Sequence, residues 1–271
     1  SIERSRGITV FSKEARFDMG SRKAVLVDTP GHADFSAEME RTLGILDCAV
    51  LVVSGTDGVQ SHTVTLWNLL KARKIPVFVF INKTDQPAAD QERVMKELLE
   101  RFGAGFVKFE GAAPQNSEEA AMCSEALMEE YLSCGRLDDE TIRRAVAERT
   151  MFPVCAGSAL KLDGVEQLLK TIDTYAGQHE YGDEFAAKVF KISRDKQGNR
   201  QTHMKITGGA LRPKTVLNTA GRTETTAAGR AESPFGQTGY GQPATAEDLE
   251  KTEQIRLYSG DSFETVNYAE A

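Results

Sequence analysis

The sequence predicts an α/β protein with a mostly parallel sheet, followed by a small β-barrel. Four continuous apolar runs end in polar or turn residues, which is typical of strands buried on both faces of a parallel sheet. Segments with the apolar period of a helix lie between these runs, and this alternation indicates βαβ units. After residue 176 the pattern changes to short strand-like runs bounded by turns, which indicates an all-β region.

Composition is that of a soluble globular protein with one large or two modest domains. The 271 residues are 40% hydrophobic and 27% charged, and no apolar run approaches the length of a bilayer span. The first residues lack the apolar core of a signal peptide, so we expect a cytoplasmic monomer with no membrane partner. A net charge of -7 argues against a chain-wide basic surface for nucleic acids, although a local basic patch stays open.

The four cysteines do not indicate a metal site. Cys48, Cys123, Cys134 and Cys155 lie far apart, and no pair has the spacing of zinc ligands. We therefore expect buried, reduced thiols.

The α/β region is predicted to cover residues 1–176, with an insertion near 103–150. Ser117 is expected to cap a helix, because acidic residues follow it in the first turn. The predicted strands are an extended segment at 10–17, which can pair with a buried strand at 24–28, and further strands at 49–53, 76–81, 106–109 and 152–156. The predicted helices are at 34–47, 63–74, 90–102, 117–132, 139–149 and 163–175.

The all-β region is predicted to cover residues 177–271 as an incomplete barrel. A polar linker at 177–183 leads into it, and residues 222–250 are expected to form a mobile loop, because they have no period and are rich in Gly, Thr, Ala and Pro. The predicted strands are at 185–192 and 200–207, joined by a hairpin turn at 195–199, and at 216–217, 254–258 and 263–266.

The first polar motif, Asp28-Thr29-Pro30-Gly31-His32, follows the first buried strand. The Asp28 carboxylate could hold a cation, directly or through water. The N–H of Gly31 could approach a phosphate closely, since glycine has no side chain. The His32 imidazole could orient or activate a water. The alternative is a strand followed by an ordinary Pro-Gly turn.

The second motif, Asn82-Lys83-Thr84-Asp85, suits a guanine base. Asp85 can accept two hydrogen bonds from the adjacent N–H donors of guanine, an arrangement that rejects adenine. Asn82 can bond the base or tie neighbouring loops together, and the aliphatic stem of Lys83 can lie over the ring. Taken alone, the motif could equally be a polar turn after a strand.

The third motif, Gly157-Ser158-Ala159-Leu160, follows the last buried strand. Backbone N–H groups near Ser158 and Ala159 could bond the guanine O6. Because the carboxyl ends of parallel strands share one edge of a sheet, we expect all three motifs to converge there on a nucleotide. A fourth motif, Arg6-Gly7-Ile8-Thr9, contains a hydroxyl that can ligate Mg²⁺, although alone it is typical of a solvated turn.

Together these motifs resemble the translational GTPases. Arg6 to Thr9 resembles their switch I, Asp28 to His32 their switch II, and the second and third motifs their guanine loops. The resemblance is closer to the tetracycline-resistance ribosomal protection proteins than to elongation factor G. The stretches that support this comparison include Asp57-Gly58-Val59-Gln60 and Phe152-Pro153-Val154. It implies a P-loop GTPase-like sheet and, after it, the family's domain II.

The resemblance also implies cofactors, partners and roles. The cofactors are GTP or GDP with Mg²⁺, and the main partner is the ribosome. Thr9 and Asp28 would hold Mg²⁺, the Gly31 N–H would meet the γ-phosphate, and His32 would position the attacking water. The implied guanine-binding residues are Asn82, Lys83, Asp85, Ser158, Ala159 and Leu160.

The phosphate loop of the family, Gly-x-x-x-x-Gly-Lys-Ser/Thr, does not occur in these 271 residues. We therefore expect a fragment that lacks the P-loop strand and binds GTP weakly or not at all. The alternative is a non-hydrolysing interaction module that keeps the GTPase fold, and an unrelated α/β nucleotide enzyme is a third possibility. A Gly-Lys-Ser/Thr motif about 40 residues upstream of Arg6 would favour the enzyme.

Overall fold

The computed structural model describes residues 13–29, 36–177, 179–195, 197–218, 249–251, 254–259, 262–266 and 269–270. The chain divides into two compact units, Ser1–Glu180 with Lys188–Met204, and Tyr181–Ala187 with Lys205–Ala271. In the part of the chain described, no helix has the length and apolarity needed to cross a bilayer.

A five-stranded sheet forms the centre of the first unit. Its strands are β3 (Ala49–Ser54), β4 (Val77–Asn82), β5 (Phe106–Glu110), β6 (Ala113–Pro114) and β7 (Phe152–Ala156). Their order in the sheet is β3-β4-β7-β5-β6, and the first four strands are parallel while β6 runs antiparallel to β5. The mostly parallel sheet predicted from the alternation of strands and helices is thereby confirmed.

Seven α-helices are described in this unit, and several bounds differ from the prediction: the first helix ends at Leu43 and not at residue 47, and the second spans Ser61–Ala72. Residues 117–132 form two helices, because the Ser124 side chain accepts a hydrogen bond from Leu127 N–H and starts a new helix. The first of these helices is capped by Asn116 and not by Ser117. The helices are α1 (Ser36–Leu43), α2 (Ser61–Ala72), α3 (Gln91–Phe102), α4 (Ser117–Ala121), α5 (Glu125–Cys134), α6 (Asp139–Ala147) and α7 (Val165–Tyr175).

The core lies on both faces of β4, whose first five residues, Val77 to Ile81, are all buried. Odd-numbered residues of this strand pack into one apolar cluster and even-numbered residues into the other, as a strand between two helical layers requires. The single tryptophan, Trp67, belongs to the first cluster and stacks on Phe102 with 4.7 Å between ring centroids. Trp67 therefore reports on the packing of this unit.

The first two strands form a separate antiparallel hairpin, β1 (Lys13–Asp18) and β2 (Lys23–Asp28), as predicted. The expectation that β2 is buried on both faces is wrong, since Val25 and Leu26 are 50% and 54% exposed. An apolar run is buried only where neighbours cover it, and among the described strands β2 pairs with β1 alone. The Arg22 guanidinium ties the hairpin turn to the end of α7 by donating to the carbonyls of Asp173 (2.7 Å) and Ala176 (3.0 Å).

The remaining strands form antiparallel pairs. The predicted hairpin across residues 195–199 is confirmed, with Asp195 accepting hydrogen bonds from the N–H groups of Gln197 and Asn199. Most of the predicted loop at 222–250 lies outside the described residues, but its last two residues belong to a strand. The barrel stays a prediction. The pairs are β8 (Ala186–Arg194) with β9 (Arg200–Gly208), β10 (Ala210–Leu211) with β15 (Ala269–Glu270), β11 (Val216–Asn218) with β12 (Leu249–Lys251), and β13 (Ile255–Ser259) with β14 (Ser262–Val266).

The four cysteines differ in exposure, and none of them is in a disulfide. Cys155 is buried, as expected. Cys123 is partly buried, and this burial raises the pKa of its thiol to about 11. Cys134 is exposed at the end of α5, so the expectation of four buried thiols is wrong there. A helix terminus leaves its last side chains with few covering neighbours.

Candidate functional site

Two of the predicted loops lie side by side at the carboxyl edge of the sheet. They follow β4 and β7, which are adjacent and parallel, with Ile81 opposite Ala156. The Gly157 N–H donates to the Ile81 carbonyl (2.9 Å), and the Thr84 N–H donates to the Gly157 carbonyl (3.1 Å). The register of the sheet thus continues into both loops and holds them together.

Asn82 fastens the two loops to each other. Its Oδ1 accepts hydrogen bonds from the N–H of Lys83 (2.8 Å) and from the N–H of Ala159 (2.9 Å). The sequence left open whether Asn82 bonds the base or ties neighbouring loops together. In this structure its side chain joins the two loops. The Ala159 amide, predicted to face a guanine O6, donates within the protein here, so base binding has to share or exchange that donor.

The loop after β7 closes on itself in a tight turn. Ser158 and Asp163 exchange two backbone hydrogen bonds of 3.0 Å each, so the Ser158 amide also donates within the protein. Gly157 lies so close to the returning chain that a Cβ there would be 2.8 Å from the Asp163 carbonyl carbon. Only glycine allows this approach without movement of the backbone. A short 3-10 helix, Ala159–Lys161, forms the outer part of the loop.

Asp85 presents a carboxylate at the same edge. The buried Ser158 hydroxyl donates to it, and the Lys161 ammonium lies 3.3 Å from Oδ2. These two interactions, the Ser158 hydrogen bond first, hold the pKa of Asp85 below its ordinary value. The group is therefore ionised at neutral pH and serves as an acceptor of hydrogen bonds.

Two apolar surfaces accompany this carboxylate. Leu160 is 92% exposed on the 3-10 helix. Lys83 has a left-handed backbone, with φ 65°, and its half-exposed side chain extends to Asp57, 3.8 Å away. A planar ring could lie against the leucine and the aliphatic stem of the lysine.

Sequence reasoning missed a polar network behind Lys83. It comprises Asp57 in the loop after β3 and two residues of α3, Arg93 and Glu97. The sequence carried one weak signal, since Arg93 and Glu97 are four residues apart and share a helix face. Their connection to Asp57 depends on the tertiary fold, which no local pattern indicates.

Of the remaining predicted site residues, only Asp28 is among those the structure describes. Asp28 ends β2, which is hydrogen-bonded only to β1 among the strands described, and its convergence with the other loops stays a prediction. Thr9, Gly31 and His32 lie outside the described residues. Within the ranges that are described, no three His, Cys, Asp or Glu side chains cluster as a metal site. The Mg²⁺ site predicted from Thr9 and Asp28 therefore also stays a prediction.

Comparison with known proteins identifies relatives along most of the chain. A family model for the elongation factor Tu GTP binding domain matches residues 1–178. Tetracycline resistance protein TetO from Streptococcus mutans is 33% identical over 236 residues, which is 80% of this chain and 37% of that protein. A mitochondrial ribosome-releasing factor 2 from Drosophila grimshawi is 29% identical over 269 residues, covering 78% of this chain. This chain spans only 37% of the length of either relative.

A solved structure resembles the chain over nearly its whole length. This crystal structure of a protein from Thermus thermophilus aligns with 99% of the chain, at a TM-score of 0.76 and 20% identity. The alignment covers 44% of the other chain. At this level of identity the match shows the fold alone.

Proposed function

The chain belongs to the translational GTPases, and we propose that it is part of a GTP-hydrolysing factor that acts on the ribosome. The proposed type is elongation factor G-like, and within it the ribosomal protection proteins that confer tetracycline resistance. The observation that carries the proposal is the pair of loops joined by Asn82, with the ionised Asp85 carboxylate at their edge.

The chemistry of this edge supports guanine as the base. Asp85 can accept from both N1–H and the 2-amino group of guanine, whereas adenine offers no such adjacent donors. A site built around these acceptors discriminates, because the wrong base would cover the carboxylate and leave it without hydrogen-bond donors. Lys83 and Leu160 offer apolar surface for the ring, and Ser158 favours the ionised form of the carboxylate.

The open edge of the sheet supports a further strand that carries the phosphate loop. β3 is the last strand at its side of the described sheet, and Val52 on it is 56% exposed. An edge strand presents unpaired N–H and C=O groups together with apolar side chains, which a neighbouring strand can satisfy. We propose that a segment of the longer protein lies along β3 and supplies the N–H groups and the lysine that hold the α- and β-phosphates.

Hydrolysis depends on residues beyond the guanine loops. Thr9 and Asp28 would hold Mg²⁺, which when bound neutralises charge on the phosphates. The Gly31 N–H would donate to the γ-phosphate, and His32 would orient the attacking water once the ribosome has positioned the imidazole. Loss of the γ-phosphate would then release the switch segments and the factor from the ribosome. A protein with these partners works where ribosomes are, and we propose the cytoplasm.

The first test is affinity. The 271-residue chain is expected to bind GTP only weakly, because phosphate contacts normally supply much of the affinity and this sequence has no phosphate loop. Titration with a fluorescent GTP analogue should give a Kd well above about 1 μM. The same chain extended upstream through a phosphate loop should bind at least about a hundredfold more tightly. A sub-micromolar Kd for the 271-residue chain, or no gain on extension, would contradict the proposal.

A further inference from the structure

The loop that follows β3 places a second carboxylate beside the guanine loops. Asp57 accepts hydrogen bonds from the Ser54 hydroxyl (2.6 Å) and the Thr56 hydroxyl (3.2 Å), and its Oδ2 lies 3.8 Å from the Lys83 ammonium. The two hydroxyl hydrogen bonds, helped by the nearby Lys83 and Arg93 charges, hold the pKa of Asp57 below its ordinary value. A fixed negative charge therefore faces the end of the Lys83 side chain.

The backbone of this loop is fastened to α3. The Arg93 guanidinium donates to the Thr56 carbonyl (2.7 Å) and to the Glu97 carboxylate (3.1 Å). Glu97 in turn accepts from the Val59 N–H (2.7 Å), and a Cβ on Gly58 would overlap this carboxylate. The Asp57 side chain is therefore held by hydrogen bonds, and the backbone on both sides of Asp57 is fixed through Thr56 and Val59.

The backbone of Lys83 is equally restricted. Its φ of 65° is rare for a residue with a side chain, and its N–H donates to Asn82 Oδ1. With the backbone fixed, the direction of the lysine is set by its side-chain torsions alone. Lysine side chains are flexible, so without a partner this one would sample many rotamers. An ion pair with Asp57 restricts those rotamers to the ones that reach this carboxylate.

We propose that Asp57 is a positioning residue for base recognition: by holding the Lys83 ammonium, it orients the aliphatic stem of the lysine as a surface for the guanine ring. This inference rests on the proposed function of the guanine loops. It assigns the Arg93 and Glu97 network a purpose, which is to keep Asp57 at a constant distance from Lys83.

A purely structural role for this ion pair would lower the unfolding midpoint when Asp57 is substituted, and the exposure of the pair argues against that outcome. Asp57 and Lys83 are both about half exposed, and ion pairs between exposed groups contribute little to stability. Substituting Asp57 should therefore leave the unfolding midpoint unchanged. If Asp57 acts on the base through Lys83, binding of nucleotide should change instead.

The test compares Asp57→Asn with the parent chain by titration with GDP and with inosine diphosphate, which lacks the 2-amino group. Backbone amide shifts in NMR spectra report weak binding. The variant keeps the hydrogen-bond acceptor but loses the charge, and we expect its Kd to rise about fivefold for both nucleotides alike. Glu100→Gln, which neutralises the exposed partner of Lys96, is the matched control and should bind as the parent does.

A double substitution then tests the route through Lys83. Lys83→Met keeps an apolar stem but has no charge for Asp57 to hold, so Asp57→Asn should have no further effect in that background. An unchanged Kd for Asp57→Asn, or an equal loss with and without Lys83→Met, would overturn the inference. Failure of this inference can be distinguished from failure of the proposed function. If the proposed function is wrong, the parent chain itself shows no selective response to GDP.

Discussion

Gly157→Ala is expected to destabilise the first unit by about 2–3 kcal/mol and to abolish the response to GDP. The new Cβ would lie 2.8 Å from the carbonyl carbon of Asp163, in backbone that cannot rotate away as a side chain would. The loop must open, and the hydrogen bonds that join Ser158 to Asp163 are lost with it. Chemical unfolding followed by the fluorescence of Trp67, the single tryptophan, measures the loss.

Gly177→Ala is the matched control for this prediction. A Cβ at residue 177 meets no atom of the described part of the chain within 4 Å, so this variant should unfold at the midpoint of the parent. A Gly157→Ala chain with parental stability and an unchanged GDP response would show that the loop does not depend on this close approach.

Asp85→Asn is expected to reverse the preference between guanine and xanthine nucleotides. The carboxylate can accept from two adjacent donors of guanine, whereas an amide can accept from one and must donate to the other position. Xanthine carries an oxygen in place of the 2-amino group and fits that pattern. We expect the Kd for GDP to rise about a hundredfold, and xanthosine diphosphate to become the better ligand.

The reversal is measured by titrating the parent and the variant with both diphosphates. Asp183→Asn makes the same chemical change at an exposed carboxylate of the second unit, and should leave both affinities as they are in the parent. If Asp85→Asn weakens neither nucleotide, or weakens both equally, Asp85 does not recognise the base.

The two loops joined by Asn82 were predictable from the sequence because local and global patterns agree there. The run Val77 to Ile81 is apolar throughout, and a strand buried on both faces lies in mid-sheet, so Asn82 had to emerge at the carboxyl edge. The same reasoning failed for β2. Val25 and Leu26 belong to an equally apolar run, but the run does not indicate which neighbours cover it.

Other features depended on contacts that no local pattern records. The apolar period predicts one continuous helix through Ser124. Ser124 instead begins a new helix, because a serine side chain is more favourable at a helix N-terminus, where it accepts a backbone hydrogen bond, than in a helix interior. Arg93 reaches the Thr56 carbonyl across 37 positions of sequence, so the network behind Lys83 could be found only in three dimensions.

The most direct test of the proposed guanine site is a pair of NMR titrations of the isotopically labelled chain, one with GDP and one with ADP. The account predicts that the backbone amide signals of Asp85, Ser158 and Ala159 shift with GDP and stay in place with ADP at equal concentrations. Shifts of equal size with ADP, or GDP shifts confined to residues away from these two loops, would contradict it.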